Sequence, residues 1–411
     1  REEYGQSETL DTYIFVDGLG RVIQTRTDSE DPFKQIVVDT FYNEIGKVDR
    51  QSVPHRDNYG NDYRMPNTNV RNVSLEYDPL GRNIAIRNPD LTYKNVSYDH
   101  WKVTATDENL HQKVYYLDAY DGITRVDEKN DGDTYITEYS YDPMDRLIKI
   151  VDDLGNVFQF EYDSLGRKTR LIDPDMGTWS YSYDAVGNLI SQTDAKGVTV
   201  NFEYDGLNRV TKESYPDKDI VYRYDLETIG TLSEIQDSMG ITHYYYDQRL
   251  RLTKEEMMID NVTWTTEWIY DSADRVKETL YPNGDLIGYT FNNQGEIDSV
   301  GDILENIDYN AMGKIVRKDF INGVDTYLTY NPEHFRLENI YTPGLQNLSY
   351  QFDSVGNIIS IEDDIANRLQ TFTYDDLDRL ISASDSAGYN FTYEYNSIGN
   401  LVSVMSDDGS I

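Results

Sequence analysis

The sequence predicts an all-β chain, a spiralling antiparallel sheet of about eighteen β-hairpin repeats that forms a hollow shell or part of one. Three observations support this fold class. A Tyr-Asp motif returns roughly every 21 residues, apolar and polar residues alternate within each repeat, and turn-forming residues recur every 10 or 11 residues. No segment has a sustained apolar period of 3.6 residues, so we expect almost no helix.

The repeats are clearest where the Tyr-Asp motif is complete. Five segments share one pattern: YDPLGRN at Tyr77, YDPMDRL at Tyr141, YDSLGRK at Tyr162, YDAVGNL at Tyr183 and YDGLNRV at Tyr204. Weaker copies begin at Val16, Tyr42, Tyr98, Tyr120, Tyr224, Tyr246, Tyr270, Phe291, Tyr309, Tyr330, Phe352, Tyr374 and Tyr395. We therefore predict one continuous array over 1–411, with less regular opening repeats in 1–76 and regular repeats of 20–24 residues in 77–411.

One repeat is predicted to contain two short strands. Phe158, Phe160 and Tyr162 alternate with more polar neighbours, which is the period of a strand with one apolar face. The chain turns after Tyr162, returns, and turns again near Gly177. Two strands for each of eighteen repeats give about 36 strands and, at about 4.8 Å between neighbours, a ribbon about 170 Å long. Open twisted sheets of that size curl, so the ribbon is expected to coil around a lumen.

The motif turn has a predicted conformation. Gly, Asn or Asp fills the position of Gly166 in most repeats, which indicates a left-handed backbone. The Asp or Asn three residues earlier can accept hydrogen bonds from N–H groups of the turn. The apolar residue between them, such as Leu165, is expected to tuck back under the hairpin, and the Arg after it to pair with a neighbouring carboxylate.

We assign these motif residues a structural role in the repeat turns. They are Tyr77, Asp78, Gly81, Arg82, Tyr141, Asp142, Arg146, Tyr162, Asp163, Gly166, Arg167, Tyr183, Asp184, Gly187, Tyr204, Asp205, Asn208, Arg209, Tyr374, Asp375 and Arg379. A residue type that recurs at every turn is typical of architecture, so no catalytic residue is predicted among them.

Composition excludes several other functions. The formal charge of −37 disfavours binding to nucleic acid or to anionic membranes. The absence of cysteine excludes disulfides, thiolate zinc sites and a cysteine nucleophile. Tyrosine supplies 36 residues, whose hydroxyls can stay wet while the rings pack, as suits a thin sheet near water on both faces. No apolar run is long enough to span a membrane, and the first residues lack the apolar stretch of a signal peptide.

No metal or cofactor site is predicted. The histidines occupy unrelated points of the repeat and lack metal-ligand spacing. The acidic loop from Asp127 to Asp133 faintly resembles a calcium loop but lacks the regular ligand spacing and the terminal Glu, so a plain hairpin turn is favoured. Five N-x-S/T sequons would carry glycans only in a secreted eukaryotic protein. Exposed strand edges are expected near Tyr13 to Val16 and near Phe391 to Tyr395.

The five complete motifs resemble the YD repeats of the Rhs family, which includes bacterial Rhs toxins, the B and C subunits of insecticidal toxin complexes and, more distantly, the teneurins. The segment from Tyr13 to Gln24 is similar to the start of the repeat region in toxin-complex B-like proteins. The resemblance implies a hollow shell that holds a toxic C-terminal domain. Some members carry a self-cleaving aspartyl element after the last repeats, which no position here matches.

These observations lead to a functional prediction. The chain is expected to be a non-enzymatic encapsulating scaffold of a bacterial toxin, secreted or at the cell surface. Its expected partners are a toxic C-terminal domain or cargo polypeptide and other segments of the same shell or toxin assembly, without nucleic acid, membrane insertion or a cofactor. The alternative is a cell-surface adhesion or recognition repeat protein. A glycan-active enzyme is a third, less favoured reading.

Overall fold

A computed structural model describes residues 11–407, and in this range the chain is all β, with no helix. It contains 37 strands in one antiparallel sheet, close to the 36 expected from the repeats. Consecutive strands pair along the chain almost throughout, so the sheet is a meander of hairpins. The predicted fold class is confirmed.

The strand bounds follow the repeat period. The first strands are β1 (Thr12–Val16), β2 (Val22–Asp28), β3 (Lys34–Tyr42), β4 (Val48–Ser52), β5 (His55–Asn58), β6 (Asn72–Tyr77), β7 (Asn83–Arg87), β8 (Tyr93–Asp99), β9 (Lys102–Thr106), β10 (Gln112–Leu117), β11 (Ile123–Asn130) and β12 (Asp133–Tyr141). Next come β13 (Leu147–Val151), β14 (Val157–Tyr162), β15 (Lys168–Asp173), β16 (Gly177–Tyr183), β17 (Leu189–Thr193), β18 (Thr199–Tyr204), β19 (Val210–Ser214), β20 (Asp219–Tyr224), β21 (Leu232–Gln236), β22 (Gly240–Tyr246), β23 (Leu252–Ile259), β24 (Val262–Tyr270) and β25 (Val276–Leu280). The last are β26 (Leu286–Phe291), β27 (Ile297–Val300), β28 (Leu304–Tyr309), β29 (Ile315–Phe320), β30 (Asp325–Tyr330), β31 (Leu337–Thr342), β32 (Gln346–Phe352), β33 (Ile358–Asp363), β34 (Arg368–Tyr374), β35 (Leu380–Asp385), β36 (Tyr389–Tyr395) and β37 (Leu401–Ser406).

Most motif turns close a hairpin by the same device. In the β14–β15 hairpin, Glu161 pairs with Arg170 but Tyr162 pairs with Lys168, so the register shifts at the motif tyrosine. Gly166 N donates to Asp163 O at 3.1 Å and Asp163 N to Arg167 O at 3.0 Å. This pattern is a tight turn followed by a bulge residue of positive φ, which bends the strand and increases its twist.

The opening repeats differ from the others. β3 pairs along one edge with β2, while its other edge is divided between β4 and β5. The side chains of Gln24, Arg26 and Gln35 are almost fully buried here. Arg26 donates to Gln35 Oε1 at 2.9 Å and Gln24 to Asp39 Oδ1 at 2.6 Å, so the most buried part of the described chain is polar.

The apolar core is small everywhere in the described range. Only Val37, Ala85, Val114, Leu171, Val200, Ile307 and Tyr309 are buried apolar side chains. Stability must therefore depend largely on the strand ladder and on contacts made by half-buried side chains.

Two compact units divide the chain. Unit 1 contains residues 1–136 and 289–411, and unit 2 contains residues 137–288. Within residues 11–407 no helix is long and apolar enough to cross a bilayer.

The two outermost strands of the described sheet are β1 and β37, each paired with a single neighbour. The expected edge near Tyr13 to Val16 is thus β1, as predicted. The expected edge near Phe391 to Tyr395 is wrong, because those residues form β36, which pairs with both β35 and β37. The residues after Tyr395 form one more strand, Leu401–Ser406, which the edge expected from the sequence did not include.

Candidate functional site

The conserved geometry of the motif turn is organised by its acidic residue. Asp163 Oδ1 accepts hydrogen bonds from the N–H groups of Leu165 at 2.9 Å and Arg167 at 3.0 Å. Its Oδ2 accepts from Arg167 Nε at 2.7 Å. The N–H of Arg167, and then its guanidinium, hold the pKa of Asp163 below its usual range despite some desolvation. The Asp163 carboxylate therefore accepts the hydrogen bonds of the turn and also balances the charge of Arg167.

The left-handed position is confirmed. Gly166 has φ +83°, and open space surrounds the Cβ that a larger residue would add, apart from the Arg146 side chain at 3.9 Å. Where another residue replaces glycine, it keeps this conformation, as Asn208 does at φ 61°. Other members of this position with positive φ are Gly20, Gly46, Gly81, Asp121, Asp145, Gly187, Leu250, Asp274, Gly295, Gly313, Gly356, Asp378 and Gly399.

The expectation that the apolar turn residue tucks under the hairpin is wrong. Leu80 is 78% exposed and Leu165 is 71% exposed. The space beneath the turn is occupied by the aspartate and its hydrogen bonds, so this side chain points to solvent. Met144, Val186 and Leu207 are also exposed, whereas Leu377 is half-buried.

The motif arginine pairs with the aspartate of its own turn and also contacts the next repeat. Arg167 Nη1 donates to Asp184 O at 2.8 Å. Its guanidinium lies over the Tyr183 ring, 4.8 Å from the centroid, which is a cation–π contact. The same overlap joins Arg82 to Tyr98, Arg146 to Tyr162, Arg209 to Tyr224, Arg251 to Tyr270 and Arg379 to Tyr395.

The motif tyrosine makes the return contact. Tyr183 Oη donates to Lys168 O, the residue after Arg167, at 2.8 Å. From the sequence we expect hydroxyls that can stay wet, and nothing in the pattern predicts this bond. The equivalent hydroxyl-to-carbonyl bonds run from Tyr42 to Val22, Tyr77 to Val48, Tyr162 to Leu147, Tyr204 to Leu189, Tyr270 to Leu252, Tyr330 to Ile315 and Tyr374 to Ile358. We call the Asp, Arg and following Tyr an inter-repeat clamp.

Among the weak copies of the motif, Tyr120 is placed wrongly by the sequence pattern, and Tyr98 is placed correctly but is followed by a different turn. Tyr120 lies in a turn and is 84% exposed, and the residues at the motif positions are Leu117 and Asp118. Asp118 Oδ1 accepts from the N–H of Tyr120 at 2.8 Å. Because Leu117 stands where the motif has tyrosine, the sequence pattern does not show that the motif begins there. Tyr98 ends a strand as expected, but Asp99 pairs directly with Lys102 in a tighter hairpin.

A second feature joins distant parts of unit 1. Arg56 Nη2 donates to Tyr309 O at 2.6 Å, and Arg71 pairs with Glu333 at 2.7 Å. Further along, Asn109 Nδ2 donates to Asp353 Oδ2 at 3.0 Å. Turns of the early repeats thus meet motif turns of the late repeats, along a line that we call the seam.

The seam continues to the β11–β12 turn. Asp131 N donates to Asp376 Oδ2 at 2.9 Å, and Asp376 N donates to Asn130 Oδ1 at 3.0 Å. Asp131 and Gly132 both have positive φ, as in a two-residue hairpin turn. Asp127 pairs with Arg125 at 2.6 Å. The acidic loop is therefore a plain hairpin turn that contributes to the seam.

A polar cleft of about 640 Å³ lies at one end of the seam. Its lining includes Glu30, Arg56, Asp298, Asp308 and Tyr309. Burial raises the pKa of Glu30, although the backbone N–H of Tyr309 donates to its carboxylate at 3.2 Å. The polar groups of this cleft contact one another within the chain, so we assign the cleft no catalytic or ligand-binding role.

Sequence comparison identifies the repeats. The family model described as RHS Repeat matches residues 145–176, 183–220 and 374–411. Toxin subunit YenC2 of Yersinia entomophaga is 33% identical over 102 aligned residues, which cover 20% of this chain and 10% of that protein.

Solved structures share the fold over nearly the whole chain. The crystal structure of TcdB2-TccC3 matches with a TM-score of 0.86 at 20% identity, covering 97% of this chain and 26% of that one. The Photorhabdus luminescens Tc holotoxin pore matches with a TM-score of 0.85 at 20% identity, over 97% of this chain and 25% of that one. This chain thus spans about a quarter of the chains it matches in fold. Three segments of this chain match the RHS Repeat model, and the chain has the fold of a region in the TcdB2-TccC3 and Tc holotoxin structures.

Proposed function

We propose that this chain is an encapsulating scaffold of a bacterial toxin complex, a section of a β-shell that sequesters a C-terminal effector or cargo until delivery. It acts as a wall and not as a catalyst. Other segments of the same shell or assembly are its structural partners, and the assembly works outside the producing bacterium.

The seam is the observation that carries this proposal. A strand ladder that contacts its own earlier repeats, as Arg71 contacts Glu333, must coil. Contact between early and late repeats of unit 1 places separate stretches of the ladder side by side, as a wall requires and an extended ribbon does not. The small apolar core fits a wall one sheet thick, because such a wall has no packed interior between two sheets.

The inter-repeat clamps support a structural role for the motif residues. Each Asp, Arg and Tyr has hydrogen-bonding or stacking partners within the wall, as Asp163, Arg167 and Tyr183 do. Side chains that already have such partners are poor candidates for binding a substrate. The likeness to the TcdB2-TccC3 and Tc holotoxin structures in fold favours the toxin-complex setting.

Limited proteolysis tests the enclosure. A protein in which an effector domain follows these repeats is digested with and without Gly187→Val, which places a β-branched residue at φ +107° in a central turn. We expect the effector to resist protease in the native protein and to be cleaved in the variant. Gly206→Val is the control, because Gly206 is in a turn with open space and no positive φ. Rapid digestion of the effector inside the folded native protein would overturn the proposal.

Adhesion is the competing function, supported by the outward-pointing turn residues such as Leu80 and Leu165. Each of these exposed apolar side chains is one that a receptor could contact. Substituting both with Ser would abolish cell binding by an adhesin but leave effector protection unchanged. A cell-binding assay on the same variant therefore separates the two functions.

A further inference from the structure

The seam contains one place where acidic side chains from opposite sides meet around an imidazole. His111 Nδ1 is 3.4 Å from Asp107 Oδ2 in its own turn, and its Nε2 is 3.4 Å from Asp376 Oδ1 of a late repeat. Asp378 belongs to the same group: one oxygen of Asp107, one oxygen of Asp378 and one nitrogen of His111 all lie within 4.8 Å of one another. We call Asp107, His111, Asp376 and Asp378 the seam cluster.

The imidazole has an unused nitrogen inside this cluster. Nδ1 of His111 is buried and has no hydrogen-bond partner. A neutral imidazole carries a lone pair on one nitrogen and a proton on the other. If Nε2 carries the proton, it faces the Asp376 carboxylate, and the buried lone pair of Nδ1 faces Asp107. A buried acceptor without a donor costs free energy unless a ligand satisfies it.

The carboxylates of Asp107 and Asp378 are held in place by hydrogen bonds from the protein. Asp107 Oδ1 accepts from the N–H groups of Asn109 at 2.9 Å and His111 at 2.8 Å. Asp378 Oδ1 accepts from Asn357 Nδ2 at 2.8 Å. These bonds orient the groups without neutralising them. At two other points of the seam an arginine faces a carbonyl or an acid, Arg56 and Arg71, but here several anions converge in a chain of charge −37.

We propose that Asp107, His111 and Asp378 bind a divalent cation of the zinc class, which ties an early turn of unit 1 to a late one. An imidazole with two carboxylates suits zinc and its neighbours better than calcium or magnesium, which prefer oxygen ligands alone. Zinc ligands lie at about 2.0–2.2 Å from the ion, so the three atoms would close by roughly 1 Å on binding. Asp376 is the positioning residue, because a carboxylate on the second nitrogen fixes the orientation of a metal-bound imidazole.

This site could not be predicted from the sequence. Asp107 and His111 are four residues apart, but Asp378 and Asp376 come from the other end of the described chain. Only the seam brings them together. The prediction of no metal site was based on the spacing of possible ligands along the sequence. Such spacing cannot reveal ligands that come from distant parts of the chain.

Zinc binding to the full chain tests the proposal. The chain is stripped with a chelator, dialysed against ZnCl₂ and analysed for total metal, and we expect one zinc ion per chain. His111→Gln and Asp378→Asn should each weaken binding by at least about tenfold, and Asp376→Asn by about 10–100-fold. Asn at position 378 is compatible with the turn, since Asn208 has the same role at φ 61°. His100→Gln is the control, because His100 is 89% exposed and contacts only Asp99.

Hydrogen exchange gives a second readout that is independent of affinity. Zinc should slow amide exchange in both 107–111 and 375–378 of the native chain, and in neither segment of His111→Gln. Zinc bound equally by the native chain and His111→Gln would show non-specific binding to surface carboxylates and overturn the proposal. Calcium binding that matches zinc and ignores His111→Gln would do the same, as would failure of the native chain to bind zinc.

Discussion

Single residues of the motif turn carry two separate requirements, one on backbone conformation and one on hydrogen bonding. Gly166 meets the first, with φ +83° and open space around it. Tyr183 meets the second, through its bond to Lys168 O. Because each requirement belongs to one residue, substitutions can test them independently.

Gly166→Val should lower the free energy of unfolding by about 1–3 kcal/mol, because a β-branched residue at positive φ is strained. Gly166→Asn should be nearly neutral, since Asn occupies this position at Asn208. Gly206→Val is the matched control in a turn without positive φ. Urea unfolding of the three variants checks this, and equal tolerance of Val and Asn at position 166 would contradict the left-handed assignment.

Tyr183→Phe should cost about 1–3 kcal/mol of unfolding free energy, because the buried carbonyl of Lys168 loses its donor. Tyr181 lies two residues earlier in β16, and burial raises the pKa of both hydroxyls. No described residue accepts a hydrogen bond from the Tyr181 hydroxyl, so Tyr181→Phe should change stability by less than about 0.5 kcal/mol. Equal losses in the two variants would show that removing any hydroxyl from β16 has this effect, and not the loss of the bond to Lys168 O in particular.

At the level of elements, the hairpin is stabilised by charge as well as by its ladder. Hydrogen bonds and pairing with arginine lower the pKa of Asp142, Asp163 and Asp205. A carboxyl whose pKa is lower in the folded state than in the unfolded state stabilises the fold above its unfolded pKa. That stability is lost as the pH falls through the folded pKa. The hairpins should therefore weaken in acid.

Replacing Asp163 and Asp205 with Asn removes two of these titrating groups and keeps their Oδ1 acceptors. The free energy of unfolding should then differ less between about pH 7 and pH 3 than in the native chain. The control replaces Glu161 and Glu203, exposed carboxylates two residues earlier in the same strands, with Gln. Thermal unfolding at both pH values gives the comparison. A pH dependence unchanged by the Asp substitutions would show that the turns are not the source of acid sensitivity.

For the whole described sheet, the last strand is a pairing surface. Among the described strands β37 is hydrogen-bonded to β36, and Val402 on it is 64% exposed. An unpaired strand edge with apolar side chains invites pairing with another chain. We expect this chain to self-associate through that edge.

Val402→Lys should reduce self-association, because a charge on an edge strand opposes pairing. Ile269→Lys is the control on β24, an interior strand, where the native side chain is 53% exposed. Sedimentation velocity over a range of concentrations measures the effect. Equal reduction by both substitutions would indicate a general effect of charge and not pairing at the edge.

The sequence predicted the repeat, the strands and the left-handed turn because each depends on residues close together in the chain. Gly166, Asp163 and Arg167 lie within five residues, and their geometry follows from local sterics and hydrogen bonding. The Tyr183 bond spans adjacent repeats and was missed, because a hydroxyl gives no sign of its acceptor in sequence. None of the seam contacts was predicted from the sequence. Its partners, such as Asn109 and Asp353, depend on how far the ladder coils in each turn.

The clamps also determine how the chain would yield to a pulling force. Each runs from one repeat to the next, as from Arg167 to Tyr183 and Asp184, so tension on a terminal strand loads one hairpin before it reaches the following one. The repeats should then unfold one after another, starting from the end that is pulled. A repeat of about 21 residues releases at most about 70 Å of extended chain. A transporter that pulled such a wall apart would work in short, similar steps and would meet no single large barrier.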